Sequence, residues 1–194
     1  MIMDTAERNA QLVARCQAGD ELALEWLVND YQPALFRLAL SILDDGTPNG
    51  PAEAEEATQD AFLTAFHKID SFRGEAALTT WLYAITVNLC RNRLRVRHRH
   101  QKLQSLLQIF WHTDHNHPAQ LEETIIQNEA NSGLLQAVQA LNEKHRLPVI
   151  LRYYHDLSVN DIAQILDIPA GTVHSRLNKA RQQLKSSVVR FNQP

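Results

Sequence analysis

Residues 53–99 read EAEEATQDAFLTAFHKIDSFRGEAALTTWLYAITVNLCRNRLRVRHR, and the fold is decided there. Apolar residues recur at three- and four-residue steps: Ala54, Ala57, Ala61, Phe62, Ala65, Phe66 and Ile69, then Leu78, Trp81, Leu82, Ile85 and Leu89. Each set makes one stripe of an α-helix, so the stretch predicts an amphipathic helix over 52–69 and a second from Leu78 onward. Between them, Asp70-Ser71-Phe72-Arg73-Gly74-Glu75 is a turn. The first helix carries Glu53, Glu56, Asp60 and His67 outside. The second shows Thr80, Ala84, Asn88, Arg91 and Arg95 along an outer edge and becomes strongly basic. A change of sign between neighbouring helices predicts two unlike partners, a basic protein surface and a polyanion.

Working outward to the N-terminus, Thr5 to Gln17 predicts a helix with Leu12, Val13 and Cys16 inward. Gly19-Asp20 breaks it, and Asp20 has the side chain to cap the next. That helix sets Leu22, Trp26, Leu27 and Tyr31 on one side as core. Pro33 kinks it or starts another, and Leu35, Phe36, Leu38, Ala39 and Ile42 continue the stripe. Asp44 to Pro51 is a loop dense in turn formers. Towards the C-terminus, Arg91, Arg93, Arg95, Arg97, Arg99 and Lys102 form a basic run with His98 and His100 between, which predicts a track along a phosphate backbone. Leu103, Leu106, Leu107 and Phe110 then extend the helix with one apolar face.

From about Glu122, Leu134, Val138 and Leu141 form one stripe. Leu147, Ile150, Leu151 and Tyr154 form another, with Pro148 near the start of its helix. Ser158 to Leu166 reads as a helix with Asp161 in the capping-box position. Asp167-Ile168-Pro169 turns the chain into a last helix over 170–186. Ile162, Ala163, Leu166, Ile168, Val173, Leu177 and Leu184 make a small core. This is a helix-turn-helix, whose second helix enters the major groove of DNA. His174, Ser175, Asn178 and Arg181 are left outward, flanked by Arg176 and Lys179.

Composition excludes several classes. Among 194 residues, 44% are hydrophobic, with six glycines and seven prolines, as in an ordinary helical globular chain. No apolar run approaches the roughly 20 residues of a membrane span, and the N-terminal residues lack a signal-peptide core. A cytoplasmic chain without membrane insertion is expected. Cys16 and Cys90 have no CxxC partner and fall on inward faces, where cysteine serves as a small apolar residue. The net charge of −3 is unusual for a protein that holds DNA unaided, so a partner is expected to supply the remaining affinity. His112, His115 and His117 have ligand chemistry, but no cysteine lies near and no helix frames them, so neither metal nor cofactor is expected. Glu55, Glu56 and Asp60 point to more than one face of their helix, and no nucleophile stands beside a base. No catalytic residue is expected.

The run DAFLTAFHKIDSFRGEAALTTWLYAITVNLCRNRLR resembles region 2 of the extracytoplasmic-function (ECF) sigma factors, bacterial initiation subunits that lend promoter specificity to RNA polymerase. FRG, a short spacer, TWL and an asparagine midway along the next helix carry that resemblance. LSVNDIAQILDIPAGTVHSRLNKARQQL resembles region 4 of the same family. The resemblance implies an all-α protein of two small helical domains: region 2 over 5–111, a flexible linker over 112–121, and a region 4 helix-turn-helix over 122–190. It implies that Glu56, Gln59, Asp60 and Leu63 dock on the β-prime clamp helices of core polymerase, whose β subunit is a further partner. Acidic groups give steering there, and Leu63 an apolar anchor. The −10 element falls to Phe72, Arg73, Gly74, Asn88, Arg91 and Arg95. The turn holds a base drawn from the duplex, Asn88 meets a base edge, and the arginines meet phosphates. Trp81, by its spacing, is core rather than a stacking platform.

The −35 element falls to His174, Ser175, Arg176, Asn178, Lys179 and Arg181. The sequence departs from the family at Ala84 and His174, where basic residues are common, so a −10 contact and a bidentate guanine contact are weakened. The linker implies passage through the polymerase RNA-exit channel, and an anti-sigma protein is implied as a controlling partner. The alternative is a stand-alone helix-turn-helix regulator, which predicts a dimer on a palindromic operator.

Overall fold

The computed structural model describes residues 5–44, 46–111 and 135–191, with side chains described over 6–44, 46–103 and 135–186. The described residues form helices joined by turns, without strands. Helix α1 spans Thr5–Gln17, α2 Glu21–Leu43, α3 Gly50–Lys68 and α4 Leu78–Trp111, with a 3-10 turn at Ile69–Ser71 before α4. After a short helical stretch at 135–139 come α5 (Glu143–Val149), a π-helical turn (Ile150–Tyr154), α6 (Val159–Leu166) and α7 (Ala170–Phe191). The linker 112–121 with its three histidines, the boundary at 122, Leu134 and the side chains of Leu106, Leu107 and Phe110 lie outside the described residues.

Local chemistry sets the helix starts. The Asp20 carboxylate accepts from the backbone N–H groups of Leu22 and Ala23, capping α2 as its sequence position predicts. Arg15 bonds the same carboxylate at 2.8 Å and holds its pKa below the usual carboxylate range. Helix α2 then runs unbroken through Pro33, because a proline removes only one N–H and the helix is buried on both sides of it. Helices α2, α3 and α4 pack against one another, and α1 lies on α2. Ala54, Ala57, Ala61 and Ala65 are all buried, so α3 approaches its neighbours on small side chains. Leu12, Val13, Cys16 and Cys90 are buried as expected. The cysteines are free, and burial pushes the Cys90 thiol to about 12.

Several expectations are corrected. Leu22 and Trp26 are exposed (59% and 50%), because the inward line of α2 is Ala23, Leu27, Leu35, Leu38 and Ile42. Trp26 is covered instead by the Arg15 guanidinium, 4.5 Å above its ring. On α4, Thr80 is buried rather than outward, and Leu89 is only partly buried. Its buried set also takes in Tyr83, Thr86, Val87, Cys90 and Leu94, because α4 is covered on one side by α2 and α3 and on another by α6.

Pro148 lies in the last turn of α5, which starts at Glu143 under an Asn142 cap. Lacking an N–H, it leaves the Lys144 carbonyl without its usual donor, and the winding then widens into the π turn. The wider turn swings Tyr154 out of the predicted apolar stripe to 66% exposure, while Ile150 and Leu151 stay buried.

The helix-turn-helix forms as expected. Ser158 and Asp161 make a reciprocal capping box, and Asp167 closes α6 with φ 52°. Ile162, Leu166, Val173 and Leu177 are buried, joined by Ile165 and Ala180. Ala163, Ile168 and Leu184 pack at the margin. Helix α6 rests on α4, and buried side chains of both units form one continuous cluster.

Candidate nucleic-acid interface

The turn before α4 is built from a 3-10 segment, an extended Phe72 (ψ 115°) and Gly74 at φ 73°. Added carbon at Gly74 would meet nothing within 4 Å, so backbone conformation rather than space calls for glycine there. The Gln17 side-chain amide donates to the carbonyls of Ile69 (2.9 Å) and Phe72 (3.2 Å) and pins the turn. Sequence reasoning missed Gln17: it ends α1 and looks like any polar helix terminus. The Phe72 ring lies 5.1 Å from that of Trp81, tilted by 53°, and both are partly buried. Trp81 thus sits at the margin of the core, and Arg73 is exposed. Turn, α1 and α6 enclose a cleft of about 640 Å³, lined by Asn9, Gln17, Phe72, Gly74, Asp161 and Gln164 among others.

Along α4, Asn88 and Arg95 are exposed, and Ala84 is half-buried. Arg91 is engaged: its Nε donates to Glu143 Oε1 at 2.8 Å, across the seam between the two units. Nearby, the Thr80 hydroxyl stands 3.5 Å from an Asp161 carboxylate oxygen. The seam also holds His155, whose Nε2 lies 3.1 Å from Ser41 Oγ and whose ring meets Tyr83 edge-on at 5.9 Å. Burial, assisted by Arg37, pushes the His155 pKa down to about 4.

The acidic face of α3 is also tied internally to α4. Arg93 donates to Glu56 at 2.9 Å and to Asp60 at 2.5 Å, and Arg97 pairs with Glu53. Two arginines of the basic run thus face α3. Gln59 and Leu63 remain exposed, with Glu56 and Asp60 accessible beside them.

On α7, His174, Ser175, Asn178, Lys179 and Arg181 are exposed and Arg176 is half-buried. Ser175 Oγ donates to the Thr172 carbonyl. Arg181 Nε donates to the Tyr153 hydroxyl at 2.8 Å, and Arg181 Nη1 to Asn178 Oδ1 at 3.1 Å. Tyr153 is a second residue that sequence reasoning missed, since its partner lies 28 positions away. Among the described residues no cluster of three or more His, Cys, Asp or Glu could hold a metal, and no helix is long and apolar enough to cross a membrane.

Fold and site define a two-unit helical protein that presents a helix-turn-helix and, apart from it, a glycine turn beside a polar-edged helix. Residues 27–100 match the sigma-70 region 2 family and residues 132–184 the sigma-70 region 4 family. The chain is 32% identical to the RNA polymerase sigma-H factor of Pseudomonas aeruginosa over 191 residues, covering 96% of each. It is also 32% identical to the ECF RNA polymerase sigma-E factor of Escherichia coli K12 over 182 residues, covering 91% of this chain and 92% of that one. Its fold is similar to that of CnrH in complex with the cytosolic domain of CnrY, with TM-score 0.64, 20% identity and coverage of 95% and 99%. It is also similar to the sigma factor RpoE in complex with the anti-sigma factor NepR from Bartonella quintana, with TM-score 0.58, 27% identity and coverage of 84% and 95%. The chain belongs to the ECF sigma factors of the sigma-70 family.

Proposed function

We propose that this sigma factor divides its work as follows. Residues 5–111 bind core polymerase and open the −10 element, 112–121 link, and 122–190 read the −35 element. Leu63 and Gln59 on α3 meet the β-prime clamp, with Glu56 and Asp60 steering the approach. Phe72, Arg73 and Gly74 receive a base drawn from the duplex, whose capture offsets an unpairing cost of a few kcal/mol, so opening needs no ATP. Asn88 and Arg95 hold the neighbouring strand, joined by Arg91 once it leaves Glu143. His174, Ser175, Arg176, Asn178, Lys179 and Arg181 meet the −35 duplex. The chain catalyses no reaction of its own and acts in the cytoplasm, with the polymerase β subunit as a further contact. An anti-sigma protein is the proposed controlling partner, supported by the complex of the related RpoE with NepR.

The observation that carries this reading is the pinned turn. Gln17 fixes the backbone at Ile69 and Phe72 beside a cleft, with Asn88 and Arg95 exposed on the helix that follows. Run-off transcription by the purified chain with core polymerase, on a genomic promoter library, tests it. Transcripts sharing −35 and −10 motifs are expected. In permanganate footprints, Phe72→Ala and Asn88→Ala should lose opening more than closed-complex formation, and the reverse order would overturn the −10 assignment.

A further inference from the structure

We propose that Asn178 reads the −35 element chiefly as a hydrogen-bond donor, its amide turned by Arg181 and Arg181 held by Tyr153. This rests on the reading of α7 as the −35 helix. Arginine has five N–H donors and no acceptor. The Asn178 atom 3.1 Å from Arg181 Nη1 is therefore its carbonyl oxygen, and its NH₂ faces away. Arg181 is itself fixed, because its Nε donates to the Tyr153 hydroxyl at 2.8 Å and its guanidinium carbon lies 5.9 Å from the Tyr153 ring centre. Tyr153 belongs to the π turn, which is anchored by buried Ile150 and Leu151. Asn178 is exposed, one helical turn beyond His174 and Ser175 on the outward face.

An asparagine with both ends available pairs with adenine, accepting from N6 and donating to N7. Arg181 takes one of the two lone pairs of the Asn178 carbonyl oxygen and turns that oxygen toward the guanidinium, which weakens it as an acceptor for a base. Its NH₂ suits guanine, whose O6 and N7 both accept, or thymine, whose O4 accepts. Adenine can take that NH₂ only at N7 and sets its N6 donor beside it, so it is disfavoured against guanine. The pattern HSRLNKAR alone gives no sign of this, because Tyr153 lies in another element.

Run-off transcription by core polymerase with the full-length chain, on a promoter library randomised through the −35 element, tests the assignment. The natural chain should show one position where guanine or thymine exceeds adenine by roughly tenfold. Asn178→Ala should flatten that position only. Tyr153→Phe, which removes a single exposed hydroxyl, frees Arg181 and should admit adenine there, a change of base preference that loss of stability would not produce. Adenine preferred by the natural chain, or profiles unaltered in Asn178→Ala or in Tyr153→Phe, would overturn the proposal while leaving the −35 role of α7 standing. No transcript from any library member would overturn the role of α7 and this inference together.

Discussion

Gln17 illustrates how one amide places a functional turn. Its two hydrogen bonds to Ile69 and Phe72 span more than fifty residues of sequence and hold the backbone on which Phe72 and Gly74 sit. Replacing it by alanine returns both carbonyls to water at a cost of about 1 kcal/mol per bond, with no change at the exposed Leu63 face. Gln17→Ala should therefore co-purify with core polymerase as well as the natural chain yet open promoters more slowly, read by permanganate reactivity over time. Gln17→Glu is the sharper control, because an ionised carboxylate accepts but cannot donate. An opening rate for Gln17→Glu equal to that of the natural chain would remove the hydrogen bonds as the cause. Residue-level sequence reading succeeded where partners are adjacent, as with the Asp20 cap and the Ser158–Asp161 capping box. It failed at Gln17 and Tyr153, whose partners are distant in sequence and whose side chains belong to no periodic stripe.

At the scale of elements, periodicity located the helices well, because one buried face imposes a step of three or four. It cannot say which of two overlapping stripes on α2 turns inward, and so it predicts Leu22 and Trp26 in the core, where the structure leaves them exposed. Nor could it foresee the π turn that follows Pro148. It also missed that α3 and α4 satisfy each other's charge. Arg93 bridges Glu56 and Asp60 with its own side chain 27% exposed, so the pair is neither fully screened nor deeply buried. Such an exposed network contributes on the order of 1 kcal/mol. Arg93→Ala should lower the melting midpoint by about 2–4 °C in low salt, and the difference should shrink as salt screens the natural pair. A midpoint unchanged at low salt would show that the network adds nothing to stability. The same substitution releases two carboxylates on the proposed polymerase face, so association with core polymerase should become faster and more sensitive to salt.

Across the whole molecule, the two units predicted from sequence are present, but their packing together was not legible, because no local pattern encodes which faces of separate helices meet. Helix α6 covers Thr80, and Glu143 holds Arg91, a residue proposed to grip the −10 strand. With Nε on Glu143, Arg91 keeps only its remaining N–H groups for a phosphate, and the Glu143 carboxylate beside them repels that phosphate, so this packed arrangement weakens the −10 contact. His155 lies in the seam, set among Ser41 and Arg37 of α2, Tyr83 of α4 and Tyr154 beside it. Burial holds its pKa near 4 while the units are packed, and a solvated histidine stands at 6.5. Above 6.5 the ring is neutral in both arrangements and pH does not bias them. Below 6.5 the separated arrangement binds the proton and the packed one does not, so acid favours opening until the packed form also protonates near 4.

A dye pair placed at Glu25→Cys on α2 and Gln182→Cys on α7 reports the separation, since Cys16 and Cys90 are buried and resist labelling. Energy transfer should fall as pH drops from 7 to 5 in the natural background. In His155→Gln, which keeps a hydrogen-bonding group for Ser41 but takes no proton, the curve should be flatter. Coincident curves would show that the acid response, if any, arises elsewhere, and that His155 fills the seam without governing it.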